Sequence, residues 1–180
     1  MRTFILLVII LLSAKISLLA QVTHLKNNGK KDILIRNSTL HAFSDPIKKD
    51  TFQVEVSGKS LLDGLVYFKI ISFSGNEIYK ISFNANDLIG YGLSNNPTNK
   101  EKEKFIKDRI NKFFNKDNFM IPAIKNTDEY DQDFSDKDIW LDIKSDPLAI
   151  GFYYLIGEED NRIIAFSKKH KKVVMYMNFD

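Results

Sequence analysis

The stretch from residue 64 to residue 84, GLVYFKIISFSGNEIYKISFN, constrains the fold more than any other part of this chain. Its first half carries apolar residues on much of both faces, which is typical of a strand in the interior of a sheet. Its second half has a more polar face and an apolar face, the latter formed by Tyr79, Ile81 and Phe83. Gly75 and Asn76 lie between the halves and tolerate the positive φ that two-residue hairpin turns require. The pattern predicts a long β-hairpin against which the rest of the chain packs.

Short runs of alternating apolar residues predict further strands on both sides of the hairpin. These runs are residues 33–36, 39–43, 51–57, 139–144, 150–156, 162–167 and 173–179. Residues 119–124 contain Pro122, which predicts an edge strand or an extended connection, because proline cannot donate to a neighbouring strand. Short turns separate the last three runs, so these are predicted to form a meander. In the last run, one face is predicted to hold Val173, Met175, Met177 and Phe179.

One amphipathic helix is predicted after the hairpin. Thr98 and Glu101 have the spacing of a capping box, and Pro97 ends any helix that runs in from upstream. Apolar residues then form one stripe at helical spacing, namely Phe105, Ile106, Ile110, Phe113 and Phe114. The helix is predicted to end near residues 115–118. Together these patterns predict an α+β fold: mainly antiparallel β-sheet of about seven to nine strands, with one amphipathic helix packed on it.

The first twenty residues are typical of a secretory signal peptide. Arg2 supplies a positive charge, and the unbroken apolar run at residues 4–12 is too short to span a bilayer well. Cleavage is predicted after Ala20, with cleavage after Ala14 as the alternative. An uncleaved anchor is a further alternative, although Lys15 interrupts the apolar sequence. The chain is therefore predicted to be periplasmic or secreted, with no membrane span in its mature part.

Two segments are predicted after the signal peptide. Residues 21–32 are polar and contain glycine and asparagine, so they are predicted to be a flexible N-terminal arm that leads into a single domain over residues 33–180. The full chain has 26 basic and 23 acidic residues; the leader holds two of the basic ones, which leaves 24 against 23 and a net charge of +1. A near-neutral chain gives no reason to expect nucleic acid as a partner. The absence of cysteine excludes a disulfide framework and a lipidated cysteine.

An acid-rich stretch is the first candidate site. Its carboxylates are Asp128, Glu129, Asp131, Asp133, Asp136, Asp138, Asp142 and Asp146. Asp131 and Asp133 have the spacing that begins a calcium loop, but the glycine and the closing glutamate of that motif do not follow. The stretch is therefore interpreted as a solvated loop before a strand at Ile139, with calcium binding as the alternative.

A basic turn at residues 168–172, KKHKK, is the second candidate. It could meet phosphate or an anionic glycan, but the near-neutral chain and the lack of interleaved aromatic residues favour an exposed hairpin loop. The histidines, His24, His41 and His170, have no metal-ligand spacing, and no nucleophile elbow, phosphate loop or dinucleotide fingerprint is present. No catalytic residue, metal or cofactor is predicted.

Two aromatic residues are predicted to contact a partner. Trp140, the only tryptophan, alternates with the apolar face of its predicted strand and is expected to be half exposed; packing at the edge of the core is the alternative. Tyr153 belongs to the predicted strand at residues 150–156 and is expected to expose its ring. The partner could be a protein or a small ligand.

Four segments follow one another in a recognisable order: a hairpin with FKI and GNEIYKISF, the segment DLIGYG, the helix EKFIKDRINKFF and a closing run of strands. With a leader that ends in Leu-Ala-Gln, this order resembles small exported proteins of unknown function from Bacteroidota. The resemblance implies a periplasmic or outer-surface setting and an antiparallel sheet with a helix across it. Many of those proteins carry a lipidated cysteine, which this chain lacks. The resemblance implies no catalytic residue.

The predicted function is that of an exported, non-enzymatic domain that binds a protein partner or a small ligand through one face or edge of its sheet. An immunity or inhibitor protein would be one form of it. The alternative is a hydrolase of envelope polymers that uses a carboxylate pair such as Asp142 and Glu158. A cleft with two facing carboxylates about 5 to 9 Å apart would favour hydrolysis. A flat surface with an aromatic patch would favour binding.

Overall fold

The computed structural model describes residues 32–90, 92–93 and 95–179. These residues belong to one compact unit that begins at Asp32. The predicted signal peptide at residues 1–20 and almost all of the predicted arm at residues 21–32 lie outside the described residues.

Four antiparallel strands form a first sheet in chain order: β1 (Ile33–His41), β2 (Asp50–Ser57), β3 (Leu65–Ile71) and β4 (Glu77–Asn84). The central hairpin, β3 and β4, is confirmed, and β3 lies in the sheet interior as its two apolar faces predict. The two short strands predicted at residues 33–36 and 39–43 are wrong, because β1 is one continuous strand. Asn37 and Ser38 in its middle stay in register with β2.

The turn of the central hairpin is longer than predicted. Residues 72–76 connect the strands, and the amide of Gly75 donates to the carbonyl of Ser72 at 2.8 Å. Gly75 alone takes a positive φ, of 89°. The two-residue turn at Gly75 and Asn76 is therefore wrong, and the glycine closes a wider loop.

The second sheet has the order β5 (Phe119–Met120), β6 (Gly151–Gly157), β7 (Asp160–Ser167) and β8 (Lys172–Phe179), all antiparallel. The meander of the last three strands is confirmed, and β5 is an edge strand. The single apolar face predicted for β8 is wrong. A bulge opposite Ile163 and Ile164 shifts the alternation, so that Met175 packs between the sheets while Met177 packs on the other side.

The predicted helix, α1, spans Asn99–Lys112 with its capping box formed by Thr98 and Glu101. It ends a few residues earlier than predicted, and a 3-10 turn, Lys116–Asn118, leads into β5. A second helix, α2, spans Lys137–Ser145, where the sequence predicted a strand at residues 139–144. That prediction is wrong because Ile139 and Ile143 satisfy the spacing of four of a helix face as well as the period of a strand.

Two cores hold these layers together. The larger lies between the sheets, is built around Phe52, Phe68 and Phe152, and receives Ile106 and Ile110 from α1. The smaller lies between the second sheet and α2 and its flanking segments, and it contains Trp140, Ile143, Ile163 and Tyr176. The fold is α+β and mainly antiparallel sheet, as predicted, and the described residues form eight strands divided between two sheets.

Candidate functional site

A groove with a volume of about 700 Å³ separates the C-terminal half of α1 from the hairpin of β6 and β7. Arg109, Lys112, Asn115 and Asn118 line it from α1 and the segment that follows. Tyr153, Tyr154 and Leu155 line it from β6. Leu88, Gly90, Glu158 and Glu159 line its remaining part. We call this depression the β6 groove.

The β6 groove runs along the edge of its strand. Tyr153 and Leu155 point to one face of β6 and Tyr154 to the other, so a depression that touches all three lies at the edge between the faces. The edge is available because β5 pairs only with Gly151 and Phe152. The chain before β5 coils into the 3-10 turn instead of continuing alongside β6.

The deep part of the groove is apolar and rigidly held. Leu88 and Phe113 are buried, and Tyr154 is only 1% exposed. The hydroxyl of Tyr154 is hydrogen-bonded to that of Tyr79 on β4 at 2.6 Å, which ties the two sheets together beneath the groove.

A cation and a carboxylate complete the polar cluster around these phenols. Burial raises the pKa of Tyr154 and of Tyr79, so both remain neutral hydrogen-bonding groups. Two hydrogen bonds of 2.7 Å join Arg162 to Asp160, and these hold the pKa of the guanidinium above its ordinary value. Arg162 also interacts with both phenols. The cluster is internally satisfied, so it positions Tyr154 instead of supplying a reactive group.

Tyr153, one of the two predicted partner contacts, does line the groove. It is partly exposed, and its hydroxyl donates to the side-chain oxygen of Asn161 at 2.6 Å. Asn118 has its side-chain amide committed to the carbonyl of Phe113 at 2.9 Å. The rim of the groove therefore holds the phenol of Tyr153 and the amides of Asn118 and Asn161 in fixed orientations. These groups lie beside the cations of α1, Arg109 and Lys112.

The acidic groups of the groove lie on one side. Glu158 and Glu159 are consecutive exposed residues in the turn between β6 and β7. Glu158 lies against Gly90, where an added Cβ would come within 2.6 Å of its Cγ. Asp142, the carboxylate that the sequence suggested as a partner of Glu158, is held at the far end of the eight-residue strand β7, about 23 Å away at the rise of a strand.

Trp140, the other predicted contact, is not half exposed. It lies on α2 and is 5% exposed, packed in the smaller core beside Tyr130. The amine of Lys144 covers its ring at 4.4 Å. The expected exposure is wrong because it rested on a strand that the chain does not form there; the alternative, packing in the core, is the one observed.

The acid-rich stretch and the basic turn, the two charged candidates, face each other. Asp138 and Asp142 are spaced by four residues along α2, which places them on one face, and Asp146 directly follows the last residue of the helix. Asp138 pairs with Lys169 at 2.7 Å, and Asp146 with Lys168 at 2.6 Å. The pair with Lys169 holds the pKa of Asp138 below its ordinary value. These ion pairs join the two charged segments to each other and partly neutralise them.

Serine, histidine and aspartate meet at this contact without forming a nucleophilic triad. The hydroxyl of Ser167 donates directly to Asp142 at 2.6 Å and accepts from the backbone amide of His170 at 3.1 Å. The ring of His170 faces Asp138 instead, at 2.9 Å. Across residues 32–90, 92–93 and 95–179, no group of three or more His, Asp and Glu side chains could hold a metal ion.

Sequence reasoning found Tyr153 but missed the remainder of the groove. Its lining comes from three separated segments, and the space between them depends on where β5 begins to pair with β6. Pro122 predicted an edge strand or an extended connection, and β5 is an edge strand. The spacing of four between Asp138, Asp142 and Asp146 fits a helix face and a strand equally, so it could not have identified α2.

No family model, curated protein or solved structure matches this chain. Within the described part of the chain, no helix is both long enough and apolar enough to cross a membrane.

Proposed function

We propose that this protein is an exported, non-enzymatic domain, periplasmic or secreted, that binds its ligand in the β6 groove. The supporting observation is the position of the groove: it follows a strand edge, has an apolar floor and is lined by polar side chains from both walls. Sites that bind ligands are typically concave and largely apolar with a few placed polar groups.

The geometry favours binding over the hydrolysis of envelope polymers. A glycosidase needs two carboxyl groups on opposite sides of the scissile bond. In the groove the carboxylates of Glu158 and Glu159 belong to one turn, and the facing wall carries Arg109 and Lys112. Asp142 lies at the opposite end of β7, bound to Ser167.

The experiment compares three forms of the protein as bait for the soluble envelope fraction. Asn115→Trp fills the groove from its exposed rim, and Lys116→Trp adds the same ring at the next exposed residue, which does not line the groove. We expect the wild type and Lys116→Trp to recover the same component and Asn115→Trp to lose it. Equal recovery by all three forms would contradict the proposal, as would breakdown of cell-wall material that Glu158→Gln abolishes.

Export is tested separately. The chain resembles small exported proteins of Bacteroidota in the order of its segments and in its leader, and the leader supports cleavage after Ala20. We expect the protein expressed in a Gram-negative host to appear in the periplasm or medium with Gln21 as its first residue. Retention in the cytoplasm with Met1 intact would contradict export.

A further inference from the structure

We propose that the ligand of the β6 groove is an extended peptide segment that pairs with the free edge of β6 as an added strand. This inference rests on the proposed function, since it specifies what the same groove binds. The peptide would extend the row that β5 begins: β5 pairs with Gly151 and Phe152, and the chain that precedes β5 turns away from β6 as a 3-10 turn.

Backbone groups on this edge provide the first argument. In an antiparallel sheet, alternate residues direct their amide and carbonyl groups to opposite sides of the strand. Between Tyr153 and Leu155, one side is paired with β7 and the other opens into the groove. The described residues place no strand on that side. Unpaired strand edges of this kind accept a further strand, with main-chain hydrogen bonds supplying affinity.

The deep apolar part of the groove, its floor, determines which side chain the central residue of the peptide needs. The residue paired with Tyr154 would point to the same face as Tyr154, towards Leu88 and Phe113. Those side chains are buried and apolar, so the central residue of the peptide should be apolar and of the size of leucine. Its two neighbours would point away from the floor and are free to be polar.

The charged walls of the groove determine which residues should flank the central residue of the peptide. Arg109 and Lys112 line the wall formed by α1, and Glu158 and Glu159 lie in the turn where β6 ends. The guanidinium of Arg109 lies over the ring of Phe105 at 4.9 Å, which restricts its position. A peptide with an acidic residue and a basic residue two positions on either side of its central apolar residue matches both walls.

The test uses an array of capped heptapeptides with leucine fixed at the fourth position and threonine at the odd positions. Aspartate, lysine, serine and phenylalanine are varied at the second and sixth positions. We expect the strongest binders to carry one aspartate and one lysine there. N-methylation of the backbone on both sides of the leucine should abolish their binding, because it removes donors that a paired strand needs.

Two charge reversals on one helix provide the matched variants. Lys112→Glu should weaken binding of the aspartate-containing peptide about fivefold, because an attraction becomes a repulsion. The peptide with lysine in place of that aspartate should bind Lys112→Glu better than it binds the wild type. Lys107→Glu, at an exposed position of α1 outside the groove, should change neither affinity.

The outcomes separate the two proposals. Failure of the whole array, or equal binding of N-methylated and unmodified peptides, would overturn the strand-addition proposal. If Asn115→Trp still loses the component captured by the wild type, groove binding stands and only the peptide class is wrong. If that variant captures it normally, both proposals fail.

Discussion

Asp50 is fully buried at the start of β2 and joins two loops of the first sheet. Its carboxylate accepts from the amide and hydroxyl of Ser44, at 2.5 and 3.0 Å, and from the amide of Phe73 at 2.8 Å. Hydrogen bonds to a charged group are stronger than neutral ones, and a buried donor left without a partner is costly. One side chain thus fixes the loop after β1 against the turn of the central hairpin.

We therefore expect Asp50→Ala to lower the free energy of unfolding by about 3 kcal/mol. Urea denaturation followed by the fluorescence of Trp140, the only tryptophan, measures this directly. Asp63→Ala is the matched control, because Asp63 is an exposed aspartate whose carboxylate accepts from the hydroxyl of Ser60, a near neighbour in the chain. A loss no larger than that of the control would contradict the role assigned to Asp50.

His41 gives the fold a dependence on pH. Its ring stacks on Phe119 with centroids 3.5 Å apart, and burial, with a smaller contribution from Lys49, lowers its pKa below 6.5. As the pH falls, the unfolded chain binds this proton first. The stability present above pH 6.5 is therefore lost as the pH falls from 6.5 towards the lowered pKa of the folded state.

We expect His41→Phe, which keeps a ring against Phe119, to lose less stability than the wild type between pH 7 and pH 5. Urea denaturation at a series of pH values gives the free energy of unfolding of each protein as a function of pH. In the difference between these two profiles, the contributions of the other titrating groups cancel. Parallel profiles over this interval would show that His41 is not the source of the dependence.

At the scale of elements, α2 is held to the turn between β7 and β8 by a ladder of contacts from one helix face. Asp142 accepts from Ser167, which is fully buried, whereas Asp138 pairs with Lys169 in solvent. Exposed ion pairs contribute little to stability, and buried hydroxyls need their partners. The contact of Asp142 with Ser167 should therefore contribute more to stability than the ion pair of Asp138 with Lys169.

Asp142→Ala should lower the free energy of unfolding by about 1–2 kcal/mol, because the hydroxyl of Ser167 loses its acceptor. Asp138→Ala should change it little, and that small change should vanish at high salt. Thermal unfolding of both variants at low and high sodium chloride tests this. Equal losses in the two variants would contradict the ranking.

The same element shows where sequence reasoning fails. Residues 139–144 were predicted as a strand because Ile139, Leu141 and Ile143 alternate, although Leu141 is exposed in the helix. A run this short satisfies both periods, and tertiary packing decides between them. Long patterns supported by several local signals, such as the strands β3 and β4 and the capping box of α1, were predicted correctly.

At the scale of the whole molecule, the sequence predicted individual strands but not their division into two stacked sheets. Pairing between segments that are distant in the chain leaves no local signature in the sequence. The β6 groove depends on that arrangement: it exists because β5 is two residues long while β6 has seven. The partial exposure of Tyr153 could be predicted from its own strand. Its neighbours Arg109, Asn115 and Glu158 could not, because the fold alone brings them together.

Hydrogen–deuterium exchange of the protein, alone and with the captured ligand, tests groove binding most directly. We predict that the ligand slows exchange at residues 153–155 and at residues 112–118, the two walls of the β6 groove, and leaves α2 unchanged. Protection confined to the outer face of the first sheet or to the turn at residues 168–172 would contradict it.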